Sequence, residues 1–430
     1  MKKIIILLTC CLGYTCQAQT TDTTSRLAAS YFKEVAFASQ HQHIWNATLY
    51  GPMILVEPRS RVAYANVADS AGILKPNDGV FKGVLPKDLI IANTSLIWEG
   101  KRWSVIMWPL PTNHDERLNL MVHESFHRIQ NKLAFNQRSP TSDHLGSMYG
   151  RIYFLLEMEA LKAALGKPID QRSEDLTNAL LFREKRHELF PGTFANERIL
   201  EMNEGLAEYT GVIIGRQKDS IRQYLFHIID TLGERKSFIR ASAYISGPMY
   251  GYLLYEKFPG WTLRVDSNSD FPVLISQYYH INLPKDTTSK SIAALEKQYN
   301  GDAIIASEMV KEKKRLEMVN QYVDLFTKKP VLTITLIKMN IGFNPSILFD
   351  LGEHGTVYPI AEVRDKWGQV KVAAPGMLMK DWQVITLPAN EGGLTQNGKL
   401  IEGNGWKLQL NENWQLTKTD SLHYTLTNKN

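Results

Sequence analysis

The sequence predicts an α+β chain in three parts. A β-rich part spans residues 19–114, a helical part spans 115–328, and an all-β module, sandwich or barrel, spans 329–430. Three observations predict this division. Short apolar runs broken by turn residues fill the chain up to Pro109-Leu110-Pro111. Apolar spacing of three and four residues then takes over for about two hundred positions. From Lys329 onward, short alternating runs return.

The first residues come before any fold. Lys2 and Lys3 precede an apolar run, Ile4 to Leu8, that weakens through Leu12 and ends in Cys16-Gln17-Ala18. A basic start, a short apolar stretch and a small-x-small end predict a signal peptide over 1–18, cleaved after Ala18. The run is too short for a membrane anchor, which takes about 20 apolar residues. Gly13-Tyr14-Thr15 is a poor match to a lipoprotein processing site at Cys16. All three cysteines, Cys10, Cys11 and Cys16, fall in this segment, so the exported chain, periplasmic or secreted, is expected to fold without disulfides. No later run is long or apolar enough to span a bilayer.

Ser25–Ser39 has helical spacing. Thr48–Val56, Arg61–Val67, Gly79–Leu85, Leu89–Leu96 and Arg102–Trp108 read as strands, separated by turns such as Pro58-Arg59-Ser60 and Glu99-Gly100-Lys101. Thr112, Asn113 or Asp115 caps a helix running to about Phe135. Further helices are expected at Arg151–Leu165, Arg172–Leu189, Glu197–Ile214, Arg222–Leu232 and Ala241–Glu256, from about Ser291, and at Ile304–Phe326. The final part reads as strands in VLTITLIKM, SILFDL, QVKVAA, WQVITL, WKLQL, WQLTK and HYTLTN. No repeat suggests a solenoid. The 44% hydrophobic and 22% charged content is that of a globular chain, and a formal charge of +5 without a dense Lys/Arg block does not suggest nucleic-acid binding.

The stretch MVHESFHRIQ carries the chemistry. Residues four apart share a helix face, so His123 and His127 can aim two imidazoles at one ion while Glu124 reaches a water beside it. A zinc ion used in catalysis needs a third protein ligand and one open position. A blander reading fits the same periodicity. Leu118, Val122, Phe126, Ile129 and Leu133 form an apolar stripe, which leaves the histidines on a solvated face.

The third ligand is sought in EMNEGLAEYTG, Glu201–Gly211. Glu204 is placed to ligate, and Glu208, one turn on, to accept from the outer nitrogen of a ligand histidine. Here too an alternative exists: Glu197, Glu201, Glu204 and Glu208 make one acidic stripe, as on a surface helix. Gly205 speaks against it, because glycine inside a helix costs about 1 kcal/mol unless something approaches closely.

HESFH followed by NEGLAEY resembles the gluzincin branch of zinc metallopeptidases, which includes aminopeptidase N relatives and peptidase-MA-like families. The resemblance covers about Arg102 to Glu256 and implies a zincin-like catalytic domain. It makes His123, His127 and Glu204 the ligands of a Zn2+ ion and Glu124 the general base. ANTSLIWEGKRWSVIMWPLP is similar to exported bacterial proteins of this kind. The two motifs stand farther apart than in the aminopeptidases, which implies an inserted helical pair, Leu145–Leu189. No GxMEN-like run is present, so the resemblance does not carry over an N-terminal exopeptidase activity. SAYISGPMYGYLL resembles the helix that brings a tyrosine hydroxyl to the oxyanion; Tyr244 is the first candidate and Tyr250 the second, against plain core packing for either.

These expectations amount to an exported zinc peptidase acting on a peptide or protein. In it RWSVIMW presents an edge for an extended substrate, and the C-terminal module binds a partner or covers the catalytic part. A protein of this fold that only binds or scaffolds is the competing class. His114, His144, His187 and His227 read as surface or capping residues, and Arg151, Glu157 and Glu159 as a buttress of the site or a helical ion-pair face.

Overall fold

The structure, a computed structural model, describes residues 22–40, 44–135, 137–283, 289–344 and 347–429. The expected signal peptide and its three cysteines lie outside them. The chain divides into two compact units that meet between Glu308 and Met309. Helices, an N-terminal sheet and a C-terminal all-β region together make the α+β class that the sequence predicts.

The first unit opens with α1 (Thr23–Gln40) and a six-stranded sheet. Its strands are β1 (Met53–Val56), β2 (Val62–Ala65), β3 (Lys75–Asn77), β4 (Val80–Val84), β5 (Thr94–Trp98) and β6 (Lys101–Met107), in the order β3-β4-β2-β1-β6-β5. Only β1 and β6 pair in parallel. Successive side chains of a strand point to opposite faces, and the two faces meet different cores. Met53, Leu55 and Ile106 join the main helical core, whereas Ile54, Val56 and Val105 join a smaller cluster with Trp98 and Trp103.

Two expected strands are shorter than their apolar runs. Thr48–Pro52 and Leu89–Asn93 are irregular because their carbonyls serve arginines instead of a ladder. Thr48 and Leu49 accept from Arg128, and Leu89 accepts from Arg61. The edge expected on RWSVIMW is also corrected. That run is β6, hydrogen-bonded to β1 on one side and β5 on the other, so the sheet ends at β5. Strand β3 escaped the sequence reading because it contains Pro76, a residue strands tolerate at a sheet edge.

Among the described residues, nine further α-helices follow in this unit before the one that begins at Gly301: α2 (His114–Ile129), α3 (Met148–Gly166), α4 (Ser173–Leu189), α5 (Phe194–Leu200), α6 (Leu206–Gly215), α7 (Lys218–Asp230), α8 (Ala243–Lys257), α9 (Phe271–Tyr279) and α10 (Ser289–Gln298). Asn113 caps α2 by accepting from the Glu116 amide. The Oγ of Ser104 donates to the Glu124 carbonyl and that of Ser95 to the His127 carbonyl, which moors α2 on β6 and β5. Helix α9 was not legible in FPVLISQYY, whose Val, Ile and Tyr favour strands. Burial of Phe271, Leu274, Ile275 and Tyr279 along one face overrides that preference.

Helix α11 (Gly301–Thr327) crosses from the first unit into the second. Strands of the second unit form two sheets. One runs β18 (Trp414–Lys418), β19 (His423–Asn428), β7 (Val331–Thr335), β14 (Val384–Pro388), β13 (Met377–Lys380), β10 (Thr356–Tyr358), β9 (Phe349–Asp350). The other runs β15 (Thr395–Asn397), β16 (Leu400–Gly403), β17 (Trp406–Leu410), β12 (Gly368–Val372), β11 (Ala361–Asp365), β8 (Asn340–Phe343). Leu332, Ile334, Met377 and Ile385 of the first sheet share one core with Val363, Val370, Trp406 and Leu408 of the second. That is a sandwich. Among the described residues, no helix is long and apolar enough to cross a membrane.

Candidate metal centre

Three side chains from two distant segments meet in a cavity of about 490 Å³. The Nε2 atoms of His123 and His127 are 3.1 Å apart, and Glu204 Oε2 lies 3.6 Å from the first and 3.4 Å from the second. Ligand atoms on a tetrahedral zinc, each bonded at about 2.0–2.1 Å, stand about 3.3 Å from one another. The buried group His123, His127 and Glu204 could therefore hold a metal ion. Beside it the Oε2 of Glu124, itself only 4% exposed, has no hydrogen-bond partner, an uncommon state for a buried oxygen. Two imidazoles, one carboxylate and an orphaned carboxylate oxygen fit a divalent cation with a polar ligand next to it.

The local backbone explains how Glu204 gets there. Helices α5 and α6 are joined by one π-helical stretch, Glu201–Gly205, which shifts the register between them. Gly205 and Gly247 allow α8 to come within backbone contact of this stretch; a Cβ on Gly205 would meet the Gly247 Cα and the Ala243 carbonyl oxygen, each at 3.2 Å. Gly211 plays the same part against α2, where a Cβ would meet the Asn119 carbonyl oxygen at 2.8 Å. The glycines bring the three helices together, and the ligands follow.

The outer nitrogens of both histidines are fixed. His123 Nδ1 donates to Glu208 Oε2 at 2.9 Å, and Asn119 Nδ2 donates to the other oxygen at 2.9 Å. His127 Nδ1 donates to Gln130 Oε1 at 2.7 Å, while Gln130 Nε2 donates to Asn203 Oδ1 at 2.9 Å. In the neutral form that binds a metal, both rings would carry their proton on Nδ1 and leave Nε2 free and aimed inward. Asn119 and Gln130 were missed in the sequence. Their signal is spacing: one precedes His123 by four residues, the other follows His127 by three, all on one helix face.

Charge in the cavity is strongly coupled. Burial disfavours the imidazolium of His123, yet Glu204 and Glu208 outweigh it and lift that group to about 10. Burial would raise Glu204, but hydrogen bonds with His123, His127 and Tyr244 hold it far below the carboxylate range. Burial raises Glu124 above its ordinary value, against the pull of His123 and His127. The Tyr244 ring stacks on His123 at 5.5 Å, and its hydroxyl donates to Glu204 Oε2 at 2.6 Å. Burial, then Glu204, push that hydroxyl upward, so it stays protonated. Ser139, also unread in the sequence, donates to Glu204 Oε1 at 3.0 Å.

Several alternatives from the sequence do not hold. The solvated-face readings fail because His123 is 5% exposed and Glu197, Glu201 and Glu204 are all buried. Glu197 and Glu201 belong to a buried network with Glu157, Arg183 and Arg186. Tyr250, the second oxyanion candidate, donates to Glu157 Oε1 inside that network and does not line the cavity. Glu157 pairs with Arg183 and Arg186, while Arg151 pairs with Glu308, so the expected Arg151–Glu157 face does not form. His144 and His187 are also not surface caps; both approach Glu197. Burial would raise Glu197, but Arg186 and Arg183 hold it well below its usual range.

Compared with protein-family models, with curated proteins and with solved structures, the chain returned no match. The reading of this centre therefore stands on its geometry.

Proposed function

We propose that this chain is an exported zinc-dependent peptidase. The observation that carries the reading is the convergence of two Nε2 atoms and one carboxylate oxygen beside the unpartnered Glu124 carboxylate. Among the described residues three ligands converge in an open cavity, the pattern of a catalytic ion, since structural zinc sites close with four side chains. His123, His127 and Glu204 would hold the zinc, which when bound supplies Lewis-acid activation of water and of the scissile carbonyl.

Each remaining role falls to a side chain of this protein. Glu124 takes a proton from the attacking water and passes it to the leaving amine; its raised pKa suits both transfers. Tyr244 offers its hydroxyl to the developing oxyanion, turning from Glu204 to do so. Glu208 and Gln130 keep the histidines oriented. Asn93, Thr94 and Ser95 line the cavity where the sheet ends at β5, and that strand's open edge can pair with an extended peptide.

Elemental analysis of purified protein, followed by digestion of a peptide library with and without chelator, tests the reading. One zinc per chain and chelator-sensitive cleavage are expected. No stoichiometric metal would sink the proposal in favour of a binding or scaffold role.

A further inference from the structure

We infer that Arg240 is the substrate anchor of this cavity and that the preferred peptides carry a carboxylate next to the bond that is cut. The inference rests on the peptidase reading above and adds the substrate class to it.

Arg240 is the one lysine or arginine among the residues lining the cavity. A guanidinium presents five N–H donors in a planar fork. Among the described residues Arg240 has a single hydrogen bond, from Nη2 to Ser139 Oγ at 3.0 Å. Its nearest carboxylate oxygen, Glu204 Oε1, is 4.0 Å away, and the side chain is 56% exposed. An ion pair that long and that exposed contributes little to stability, so a purely structural role accounts poorly for the group.

The backbone beneath it is firmly held. Phe238 is fully buried against Phe154, the Ile239 carbonyl accepts from the Ser142 amide, and the Ser242 amide donates to the Phe238 carbonyl. A cation on an anchored loop, with most of its donors open to the cavity, is organised in advance for a planar anion. Two of the three carboxylates lining the cavity are engaged elsewhere, Glu204 with the histidines and Glu208 with His123 and Asn119, and the third, Glu124, is the general base of the proposed mechanism. The rest of the rim, Asn93, Thr94, Ser95, Gln137 and Ser139, is polar and uncharged. Among the described residues lining the cavity, Leu120 is the one aliphatic side chain.

Distance narrows the placement. Nη2 lies 4.0 Å from the outer oxygen of a ligand carboxylate, so an anion held by Arg240 sits within about two residues of the reacting carbonyl, at roughly 3.8 Å per residue. That anion is either the C-terminal carboxylate of the peptide or an Asp or Glu side chain flanking the cut.

The test uses the metal-loaded full chain and two matched peptide pairs. One pair differs by a free C-terminal acid against an amide; the other, with both ends blocked, by Glu against Gln beside the scissile bond. Wild type should favour one acidic member by roughly ten- to hundredfold in kcat/KM, as expected for one charge-assisted fork. The pair that discriminates names the source. R240Q should erase that preference, and R240K should keep part of it. Calorimetry with succinic monohydroxamate and its amide supplies a readout without turnover: wild type should bind the acid more tightly, and R240Q should bind both alike. Wild type that treats both members of every pair alike, or R240Q that keeps the preference, would overturn the inference while leaving the peptidase reading intact. Hydroxamate discrimination lost in R240Q, without cleavage of any peptide, would remove the peptidase reading and leave the anchor standing.

Discussion

Gly247 meets Gly205 backbone to backbone, and this contact sets how closely α8 approaches the π-helical stretch that carries Glu204. A Cβ on Gly247 would lie 2.6 Å from the Gly205 carbonyl carbon, with no flexible side chain to yield. Gly247→Ala should therefore force the two segments apart. Overpacking of this kind costs about 1–3 kcal/mol. The variant should lose that much stability in urea unfolding and bind zinc more weakly in a chelator competition. Unchanged affinity would mean that the helix spacing does not set the site.

Glu124→Gln separates binding from chemistry. The three ligands are untouched, so zinc should remain at one per chain. Hydrolysis should fall by roughly 10²–10⁴-fold, the usual contribution of a positioned general base. Paired metal analysis and steady-state kinetics check both halves, and full activity in the variant would remove Glu124 from the mechanism.

Removing Glu208 acts at one remove. Glu208→Ala frees His123 Nδ1 and leaves Asn119 without its acceptor. Zinc affinity should drop by roughly 10–100-fold, the typical effect of losing such a partner. Competition with a chromophoric chelator measures it, and near-wild-type affinity would show that the helix alone orients His123.

The buried network of Glu157, Arg183, Arg186, Glu197 and Glu201 braces the same stretch from behind, because Arg183 holds Glu201 three residues before Glu204. Arg183→Met strands buried carboxylates without their cation. A loss of about 3–5 kcal/mol is expected by denaturant unfolding, since breaking one partner of a buried pair leaves an uncompensated charge. A loss below 1 kcal/mol would mean that water or rearrangement relieves Glu157 and Glu201.

Asp270 gives a pH signature apart from the metal ligands. It is buried at the start of α9, its Oδ1 lacks a partner, and burial raises it to about 6 despite Arg183. A folded-state pKa above the unfolded value of about 3.8 means that its favourable contribution is complete below pH 3.8. That contribution fades as pH rises through about 6. Asp270→Asn should thus stabilise the protein above pH 6, by at most about 3 kcal/mol, and have little effect near pH 4. Denaturant titrations at both values check it, and a larger gain at the lower pH would reverse the sign.

Much of this was legible in the sequence, for a physical reason. Helical and strand periods are local properties, so the α+β class, the helix bearing His123 and His127 and most element positions followed from spacing alone. So did the pairing of Glu204 with Glu208 one turn apart. What needed the tertiary structure was everything set by contacts distant along the chain. Leu49 and Leu89 lost their strands because arginines far away claimed their carbonyls. Glu197 and Glu201, indistinguishable in sequence from a solvated stripe, turned inward because Arg183 and Arg186 from another helix meet them there. Ser139 and Arg240 carry no motif, and only folding brings them to the cavity. Periodicity says which residues share a face; it does not say what that face meets, because burial and pairing are decided by partners that the local chain does not contain.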